Sequence, residues 1–295
     1  MKDILVIGGS NIDIKASSLS DLVLHDSNIG TFTLSHGGVS RNVVENLLRL
    51  HDDVLFLTAV GKDAEAERMM QELKDLGGKV YSLRDDEKTA HYIAIHDKDG
   101  DLHVAVCDSK ILDTLEGEHF RPYSSLIETH KEIVLDTNLS KESLDYLFST
   151  YPGHKFYVEG VSANKIVRIK EHLKQMTLLK CNRMEANYLL GTKDQDGRGL
   201  AKEFFERGLP SAVITDGSEA VTVLEKGKIY SIPVKKEEHV VSTIGCGDAL
   251  FAGILHGLCH GWDLVTSVRF GIRLSSLTLL SPFAVDPDIG KIILG

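Results

Sequence analysis

Two kinds of hydrophobic pattern alternate along the chain. Ile4–Ile7 is apolar at every position and 54–60 at all but one, which is typical of strands buried on both faces of a sheet. The segment 64–76 instead places its apolar residues at helical spacing, and Gly77 follows it as a C-cap. The first part of the chain is therefore predicted to alternate between strand and helix.

The same alternation becomes regular in the second half of the chain. The pattern predicts strands at 133–135, 155–158, 178–180 and 212–215, and helices at 141–151, 163–176, 183–190 and 200–207. Strands that alternate with helices form a mostly parallel sheet covered on both faces, so the predicted fold class is an α/β sandwich. Polar residues follow four of these strands at the carboxyl ends, where open α/β sheets bind ligands, namely Asp136, Glu159, Asn182 and Asp216.

Two pairs of strands are predicted outside this alternation. Residues 90–95 and 102–106 flank Asp97-Lys98-Asp99-Gly100, which is a hairpin signal. A second hairpin is predicted at 220–224 and 228–233. Because the first pair interrupts the strand–helix series, we expect it to belong to a small sheet outside the main one.

The composition is that of a globular protein without a nucleic-acid partner. The 295 residues suit one large α/β domain or one domain with a small appendage, and 42% of them are apolar, enough for a sizeable core. The net charge of −10 disfavours nucleic acid, whose phosphates are bound by basic surfaces. No apolar run of membrane-spanning length and no signal pattern is present, so no membrane partner is expected. Four scattered cysteines fit neither a zinc site nor a disulfide framework, which favours the cytoplasm.

A glycine-rich segment in the last fifth of the chain carries candidate catalytic chemistry. Gly245 and Gly247 flank Cys246, Asp248 follows, and a predicted helix begins at Ala249. Glycines allow close backbone approach, and the unpaired N–H groups of a helix N-terminus attract an anion such as phosphate. A carboxylate beside that anion can accept a proton from a hydroxyl under phosphorylation. The alternative is a plain turn in which Asp248 only caps the helix.

This segment resembles the C-terminal signature of the ribokinase (PfkB) family of sugar and nucleoside kinases. The usual pattern is Asp-Thr-Thr-Gly-Ala-Gly-Asp; its Gly-x-Gly-Asp core is intact here, whereas Ser242, Ile244 and Cys246 depart from it. The resemblance implies that Asp248 is the catalytic base and that the backbone of residues 245–247 stabilises the transferring phosphoryl group. Many relatives use the first Asp to help bind a monovalent cation, so weak or absent activation by K⁺ is expected.

A second glycine-rich segment, Gly37-Gly38-Val39-Ser40-Arg41-Asn42, precedes a predicted helix at 43–50. Paired glycines permit close approach to a ligand, and an Asn side chain both donates and accepts hydrogen bonds, which suits vicinal hydroxyls. Two more polar residues follow the first strand at its carboxyl end. The candidates for substrate binding are therefore Asn11, Asp13, Gly37, Gly38 and Asn42. The alternative is that all of them are loop residues, with Ser40 as a helix cap.

The Gly37–Asn42 segment resembles the N-terminal signature of the same family, and Arg41 with Glu45-Asn46 is most similar to the pseudouridine kinases within it. In ribokinase-like enzymes an acid at the position of Asp13 binds sugar hydroxyls. Further segments similar to pseudouridine kinases are Leu135-Asp136-Thr137-Asn138-Leu139, Val161-Ser162 and Lys180-Cys181-Asn182-Arg183-Met184-Glu185-Ala186. Glu159-Gly160 departs from the usual Asp-Pro, and Cys181 stands where those enzymes tend to have Pro.

Asn182 and Glu185 resemble the Asn-x-x-Glu motif of the family. Amide and carboxylate oxygens one helical turn apart suit a hydrated Mg²⁺ that bridges ATP phosphates. The alternative is a capping box with Asn182 as N-cap, and both roles can hold together. Thr215 and Gly217 match the Thr-x-Gly segment that lies along the nucleotide in the family. Thr215, Gly217 and Asn182 are therefore the candidates for ATP binding, with Glu185 and Asn182 for Mg²⁺ through water.

Over the whole chain, the resemblance implies one kinase domain at 1–295. Its expected fold is a ribokinase-like three-layer α/β/α sandwich with a small β lid formed by about 12–35 and 88–108. The resemblance further implies ATP and Mg²⁺ as cofactors and a small-molecule sugar or nucleoside as substrate. It leaves a homodimer through the lid as an option.

The expected reaction is ATP-dependent phosphorylation of a hydroxyl on a ribosyl-type substrate. Pseudouridine is the first choice of substrate, and a ribokinase- or fructokinase-type sugar kinase is the alternative. The presence of Asp248 disfavours a non-catalytic sugar- or nucleotide-binding regulator. A dehydrogenase is disfavoured because Gly8-Gly9-Ser10 is not followed by the glycine fingerprint of dinucleotide-binding folds.

Overall fold

The computed structural model describes residues 4–294, which contain thirteen strands and ten α-helices. The strands are β1 (Ile4–Ile7), β2 (Asn11–Ser18), β3 (Gly30–Gly37), β4 (Val54–Gly61), β5 (Lys79–Asp85), β6 (His91–His96), β7 (Leu102–Asp108), β8 (Glu132–Asp136), β9 (Lys155–Glu159), β10 (Met176–Asn182), β11 (Ser211–Thr215), β12 (Val221–Glu225) and β13 (Lys228–Ile232). The α-helices are α1 (Val39–Arg49), α2 (Ala64–Asp75), α3 (Ser124–Thr129), α4 (Lys141–Thr150), α5 (Ala163–Ile166), α6 (Arg183–Leu190), α7 (Gly197–Glu206), α8 (Cys246–Cys259), α9 (Leu264–Leu279) and α10 (Ile289–Leu294). Shorter 3₁₀ segments are Lys110–Thr114, Gly117–Tyr123 and Val167–Gln175.

Nine strands form the central sheet in the order β13-β12-β11-β10-β9-β8-β1-β4-β5. The strands from β11 to β5 pair in parallel, and β12 and β13 continue the sheet as antiparallel neighbours at one edge. The apolar side chains of β1 alternate between the two faces, so Leu5 and Ile7 join one core and Ile4 and Val6 the other. The sheet is therefore buried between two helical layers, as the continuous apolar runs predict.

A smaller sheet lies apart from the main one, with strand order β3-β2-β6-β7. β2 pairs antiparallel with β3 and parallel with β6, and β6 and β7 form the hairpin predicted around Asp97–Gly100. Because β2 follows β1 after a short turn of three residues, the small sheet begins at the carboxyl edge of the main sheet. Asn11 and Asp13 lie on this first strand of the small sheet.

Helix α1 begins earlier than its apolar pattern predicts. It starts at Val39, and its N-cap is Gly38, which has no side chain that could cap the helix. The interpretation of Ser40 as a helix cap is therefore wrong. The Ser40 hydroxyl donates to Asp136 Oδ2 over 2.6 Å instead.

Two other local predictions need correction. The expected helix at 163–176 is α-helical only over Ala163–Ile166 and continues as a 3₁₀ segment to Gln175. Ser162 is at the N-cap position, but its side chain makes no capping hydrogen bond. The hydrophobic pattern also misses β5, because this edge strand is only half-buried and carries polar residues.

Within residues 4–294, every helix is too short or too polar to cross a membrane.

Candidate active site

The N-terminus of α8 carries the Gly245–Asp248 segment. Gly245 is the N-cap and has a φ of 79°, in the left-handed region that favours glycine. A Cβ at this position would lie 2.0 Å from the carbonyl oxygen of Ala284, so any larger residue would have to displace the backbone. Because the first N–H groups of a helix have no partner within the helix, this close-packed turn presents donors to an anion.

Asp248 lies in the first turn of α8 and is bonded to a side chain of α1. Asn42 Nδ2 donates to Asp248 Oδ2 over 2.8 Å. Burial raises the pKa of Asp248 to about 6, while the hydrogen bond from Asn42 and the charge of Lys180 act in the opposite direction. A carboxyl with this pKa is mostly ionised at neutral pH, which suits a general base. Asp248 does not cap the helix, since Gly245 takes that position.

The candidate substrate-binding residues lie together where β2 begins and β3 ends. Asn11 Nδ2 donates to Asp13 Oδ1 over 2.5 Å. A Cβ on Gly37 would lie 1.9 Å from Asp13 Oδ2, so a larger residue would displace this carboxylate, and Gly38 has a φ of 99°, which favours glycine. Burial raises the pKa of Asp13, and the charge of Asp13 in turn raises the pKa of Asp248. The two carboxyl groups are therefore close enough for their charges to interact.

Asp136, at the end of β8, joins the turn after β1 to the start of α1. Its Oδ2 accepts from the backbone N of Gly9 at 3.0 Å, from the backbone N of Ser40 at 3.1 Å and from the Ser40 hydroxyl. This buried carboxylate fixes the first turn of the helix that carries Asn42. The sequence places Asp136 at the sheet edge, but no local pattern identifies Ser40 as its partner.

Asn182 and Glu185 form both bonds of a capping box at the start of α6. Asn182 Oδ1 accepts from the backbone N of Glu185 at 2.8 Å, and Glu185 Oε2 accepts from the backbone N of Asn182 at 2.8 Å. Glu185 Oε1 accepts from Asn182 Nδ2, also at 2.8 Å. Asn182 and Glu185 therefore do form the capping box of the alternative interpretation. A carboxylate oxygen with one hydrogen bond still has lone-pair capacity for a hydrated ion.

The candidate nucleotide-binding residues share the adjacent part of the sheet edge. Thr215 is the direct partner of Asn182 across β11 and β10, and Gly217 has a φ of 56°. Asp216 between them is paired with Arg183 Nη1 at 2.9 Å. The sequence groups Asp216 with the polar residues at the carboxyl ends of the strands. In the structure it forms an ion pair at the start of α6.

A buried ion pair that the motifs do not identify lies next to the N-terminus of α8. Lys180 Nζ donates to Glu159 Oε1 over 2.8 Å, and the two residues are 5% and 4% exposed. A Cβ on Gly247, in the first turn of α8, would lie 2.9 Å from Lys180 Nζ, so the ammonium group adjoins the anion-binding turn. Burial raises the pKa of Glu159, and the charge of Lys180 opposes this shift. A lysine within the otherwise mostly apolar strand β10 is the feature of the sequence that could have revealed this pair.

Cys246 contributes no thiolate to the site. Burial raises the pKa of its thiol to about 11, so the group stays protonated at neutral pH. Its Sγ lies 3.8 Å from the carbonyl oxygen of Ser242, whose own hydroxyl accepts from the backbone N of Ile244 at 3.2 Å. The Cys246 side chain is therefore not a base or a nucleophile here, and its backbone N donates to the carbonyl oxygen of Thr243 at 3.4 Å.

The pKa of Asp248 predicts the acid side of the pH–rate profile. If Asp248 is the base, kcat/KM should fall about tenfold per pH unit below a pH of about 6, because only the ionised carboxylate accepts a proton. Asn42→Ala removes a bond that stabilises the ionised form, so this limb should move to higher pH. In Asn11→Ala, which loses a contact to Asp13 instead, the limb should not move to higher pH, because an Asp13 carboxyl with a higher pKa repels the Asp248 carboxylate less. A profile that is flat across this range contradicts the assignment.

Comparison with known proteins identifies the family. The model of the pfkB family of carbohydrate kinases matches residues 1–288. This chain belongs to that family. It is therefore a small-molecule kinase that uses ATP, which confirms the expectation from the two glycine-rich signatures.

Relatives of this pfkB-family kinase match it along nearly its whole length. Pseudouridine kinase of Escherichia coli (strain K12) is 30% identical over 293 residues, which cover 97% of this chain and 93% of the relative. Guanosine-inosine kinase of Exiguobacterium acetylicum is 26% identical and covers 95% of both chains. The structure of Arabidopsis thaliana ribokinase complexed with ribose and ATP has a TM-score of 0.85 and 17% identity over 99% of this chain and 98% of that one. The ribokinase-like fold is thereby confirmed.

Proposed function

We propose that this kinase phosphorylates the 5′-hydroxyl of pseudouridine. The observation that carries the proposal is the similarity to the E. coli pseudouridine kinase, which extends over 97% of the chain. The grouping of Asp13, Asn42 and Asp248 at one edge of the sheet supports an acceptor with ribose-type hydroxyls. A ribokinase- or fructokinase-type sugar kinase remains the alternative, because the fold is shared with a ribokinase.

Asp13, Gly38 and Asn42 are the residues that would hold the ribose. Asn42 Oδ1 is buried and has no hydrogen-bond partner within residues 4–294, so it can accept from a sugar hydroxyl. Asp13 is only half-buried, which leaves its carboxylate accessible to a ligand. Since a site that bonds hydroxyls rejects analogues that lack them, 2′-deoxynucleosides should be poor substrates.

In the proposed reaction Asp248 takes the proton of the acceptor hydroxyl. The acceptor oxygen bonds to the γ-phosphorus of ATP, and the bond from that phosphorus to the bridging oxygen breaks to leave ADP. The N–H groups at the start of α8 and the ammonium group of Lys180 would stabilise the negative charge of the transferring group. The hydrogen bond from Asn42 would orient the base towards the acceptor that Asn42 also binds.

Mg²⁺ fits the acidic residues beside this anion-binding turn. Glu159 Oε2 is buried and without a hydrogen-bond partner in the described part of the chain, and Glu185 keeps lone pairs beyond its capping bonds. Oxygen ligands with several waters are what Mg²⁺ prefers. We propose that Glu185 and Asn182 hold Mg²⁺ through water, with Glu159 nearby. When bound, the ion would neutralise phosphate charge.

Glu185→Gln should raise the Mg²⁺ concentration required for half-maximal activity several-fold, because a neutral amide attracts the hydrated cation less strongly. Its stability should change little, since a Gln side chain can also complete a capping box. The matched control is Asp196→Ala, which removes the side-chain cap of α7 and should cost about 1 kcal/mol without any change in Mg²⁺ requirement. A Glu185→Gln protein that melts early but keeps the normal Mg²⁺ titration would leave only the capping role.

We also propose that K⁺ activates the enzyme weakly or not at all. Ser242 presents a neutral hydroxyl where many family members have Asp, and a hydroxyl is a poorer cation ligand than a carboxylate. Equal rates in K⁺ and Na⁺ are expected. A large increase in K⁺ would reveal a cation site built from other groups.

The small sheet is proposed to serve as a lid over the acceptor and as a dimer interface. One face carries two apolar rows across all four strands, Leu34-Ile14-Ile93-Val106 and Phe32-Ala16-Ile95-Val104. Phe32 is 71% and Val106 is 62% exposed. A second copy of the same face would cover these rows around a twofold axis.

Sedimentation should therefore show a dimer for the unmodified protein and a monomer for Ile93→Lys, which places a charge within the apolar rows. Lys15→Ala lies on the opposite face of β2 and should leave the dimer intact. A monomeric unmodified protein would refute this interface.

The substrate is tested by ATP-dependent phosphorylation of pseudouridine, uridine, inosine, ribose and fructose in parallel. We expect the highest kcat/KM for pseudouridine, because a lid that closes over a nucleoside leaves an empty volume over a free sugar. If ribose or fructose gives the highest value, the sugar-kinase alternative replaces the proposal. If ATP binds but no acceptor in a wide panel is phosphorylated, the protein is a regulator that retains the fold.

A further inference from the structure

We propose a binding site for a divalent transition-metal ion, formed by Asp52, His256 and His260 and separate from the phosphoryl-transfer site. One ligand atom of each residue lies within 4.8 Å of those of the other two. Asp52 is in the turn between α1 and β4, His256 is in the last turn of α8, and His260 is the C-cap of that helix. The metal-ion site rests on these three residues and does not depend on which acceptor the kinase phosphorylates.

Two of the donor-atom distances are near the spacing of ligands around one metal ion. Asp52 Oδ2 lies 2.8 Å from His256 Nδ1, and Asp52 Oδ1 lies 3.7 Å from His260 Nδ1. Zinc–ligand bonds of about 2.0–2.2 Å place neighbouring ligand atoms of a tetrahedron roughly 3.3 Å apart. The two histidines are four positions apart on one helix and therefore share a face. Small side-chain rotations would bring all three donors to bonding distance of one ion.

Asp52 gives an independent indication of a cation ligand. The residue is 5% exposed, yet its Oδ1 is buried without a hydrogen-bond partner in the described part of the chain. A buried carboxylate oxygen without a partner is costly, so it requires an explanation. The bond to His256 occupies only Oδ2. A metal ion between the carboxylate and the two imidazoles would satisfy the remaining oxygen.

The surroundings fix one histidine and leave the other adjustable. The rings of Trp262 and Phe270 pack on the His256 ring with centroid distances of 5.6 and 5.0 Å. His260 Nδ1 is bonded to the carbonyl oxygen of His256 at 2.8 Å, and its side chain is 30% exposed. His260 can therefore turn or use Nε2 as the ligand, and water can take the fourth position.

The donor set selects the class of metal. Two imidazoles and one carboxylate suit Zn²⁺, and also Co²⁺ and Ni²⁺, whereas Mg²⁺ prefers oxygen ligands alone. No thiolate takes part, so the site does not depend on the redox state of a cysteine.

The site joins two helices that both carry candidate catalytic residues. Asn42 in the first turn of α1 is bonded to Asp248 in the first turn of α8, while Asp52 just beyond α1 is bonded to His256 in the last turn of α8. The two helices therefore run side by side in the same direction and are linked at both ends. His256 lies about 12 Å along the helix from Asp248, so the ion would stabilise this helix pair without touching the substrates.

The test is Zn²⁺ binding by the metal-free full-length protein, measured by equilibrium dialysis in excess Mg²⁺ and by thermal melting. We expect one Zn²⁺ per chain, and a rise in Tm of about 5 °C when free Zn²⁺ exceeds Kd by about 100-fold. His260→Gln should remove both effects and should melt like the unmodified protein in the presence of a chelator. Bound Co²⁺ should give a tetrahedral absorption spectrum in the visible range that His260→Gln lacks.

Three further variants separate this site from other ways of binding zinc. Asp52→Asn keeps an acceptor for His256 but removes the charge, so Zn²⁺ affinity should fall at least about tenfold. His239→Gln and Cys107→Ser change an exposed histidine and an exposed thiol elsewhere and should bind Zn²⁺ normally. The site does not exist if no Zn²⁺ binds, if His260→Gln binds as well as the unmodified protein, or if Cys107→Ser alone abolishes binding.

Discussion

Asp248→Asn is expected to lower kcat by about 10²–10⁴-fold while ATP still binds. Asn has nearly the same size as Asp, and its Oδ1 can still accept the hydrogen bond from Asn42. It cannot take a proton from the acceptor hydroxyl, so the loss should appear in the chemical step. The measurement is ADP release with the best acceptor, together with the dissociation constant of ATP from calorimetry. The remaining activity should also lose its acid limb near the pKa of Asp248.

The control for this variant is Asp216→Asn, at the end of a neighbouring strand. Its carboxylate is 40% exposed and paired with Arg183, so the change removes charge from the same edge of the sheet at a cost of about 1 kcal/mol or less. Turnover in Asp216→Asn should stay within a few-fold of normal. If Asp248→Asn keeps more than about a third of the normal kcat, or loses ATP affinity instead, Asp248 is not the base.

The fold was predictable where burial leaves a local pattern. β1 and β4 lie inside the central sheet, so their continuous apolar runs identify them as buried strands. The edge strand β5 was missed because it is half-buried and needs no such run. The 3₁₀ segment Val167–Gln175 carries apolar residues at nearly helical spacing, and the pattern cannot distinguish it from an α-helix.

The site was predictable where its chemistry lies within one turn of chain. The Gly245–Asp248 turn and the Asn182–Glu185 box are both of this kind. The bond between Asn42 and Asp248 joins residues 206 positions apart, so it depends on how α1 packs against α8. Ser40 shows the same limit. As a polar residue before a helix it suggests a cap, but in the folded chain its hydroxyl donates to Asp136 at the end of β8.

The pair of Lys180 and Glu159 lies between chemistry within one turn of chain and contacts that depend on how distant elements pack. The residues are direct neighbours across β10 and β9, so the pair follows from the strand register, which the sequence alone does not provide. Without the register, Glu159 is only a polar strand end and Lys180 only a charged residue in a buried strand. Their position beside Gly247 connects this structural pair to the anion-binding turn.

Lys180→Met is expected to destabilise the fold by about 3–5 kcal/mol, because it leaves the buried Glu159 carboxyl without its cation. Glu159→Gln combined with Lys180→Met should recover most of this loss, since a neutral pair of similar volume leaves no unpaired charge. Turnover should not recover in the double variant. If Lys180 stabilises the transferring phosphoryl group, kcat should remain about 10²-fold below normal in a protein that is again stable.

The matched control is Lys155→Met, which breaks the same kind of cross-strand pair at the surface. Lys155 and Glu132 are direct neighbours on β9 and β8 at 3.0 Å, but the Lys155 side chain is 56% exposed, so the cost should be below about 1 kcal/mol. Urea unfolding gives the stabilities of all the variants, and kcat measured at saturating Mg²⁺ and ATP gives their activities. A double variant that regains both stability and turnover would show that Lys180 only balances Glu159. A structural pair and a catalytic lysine predict the same stabilities but different turnover. The kcat of the double variant decides between them when it is compared with that of Glu159→Gln alone, which shows the effect of losing the Glu159 carboxylate near Mg²⁺.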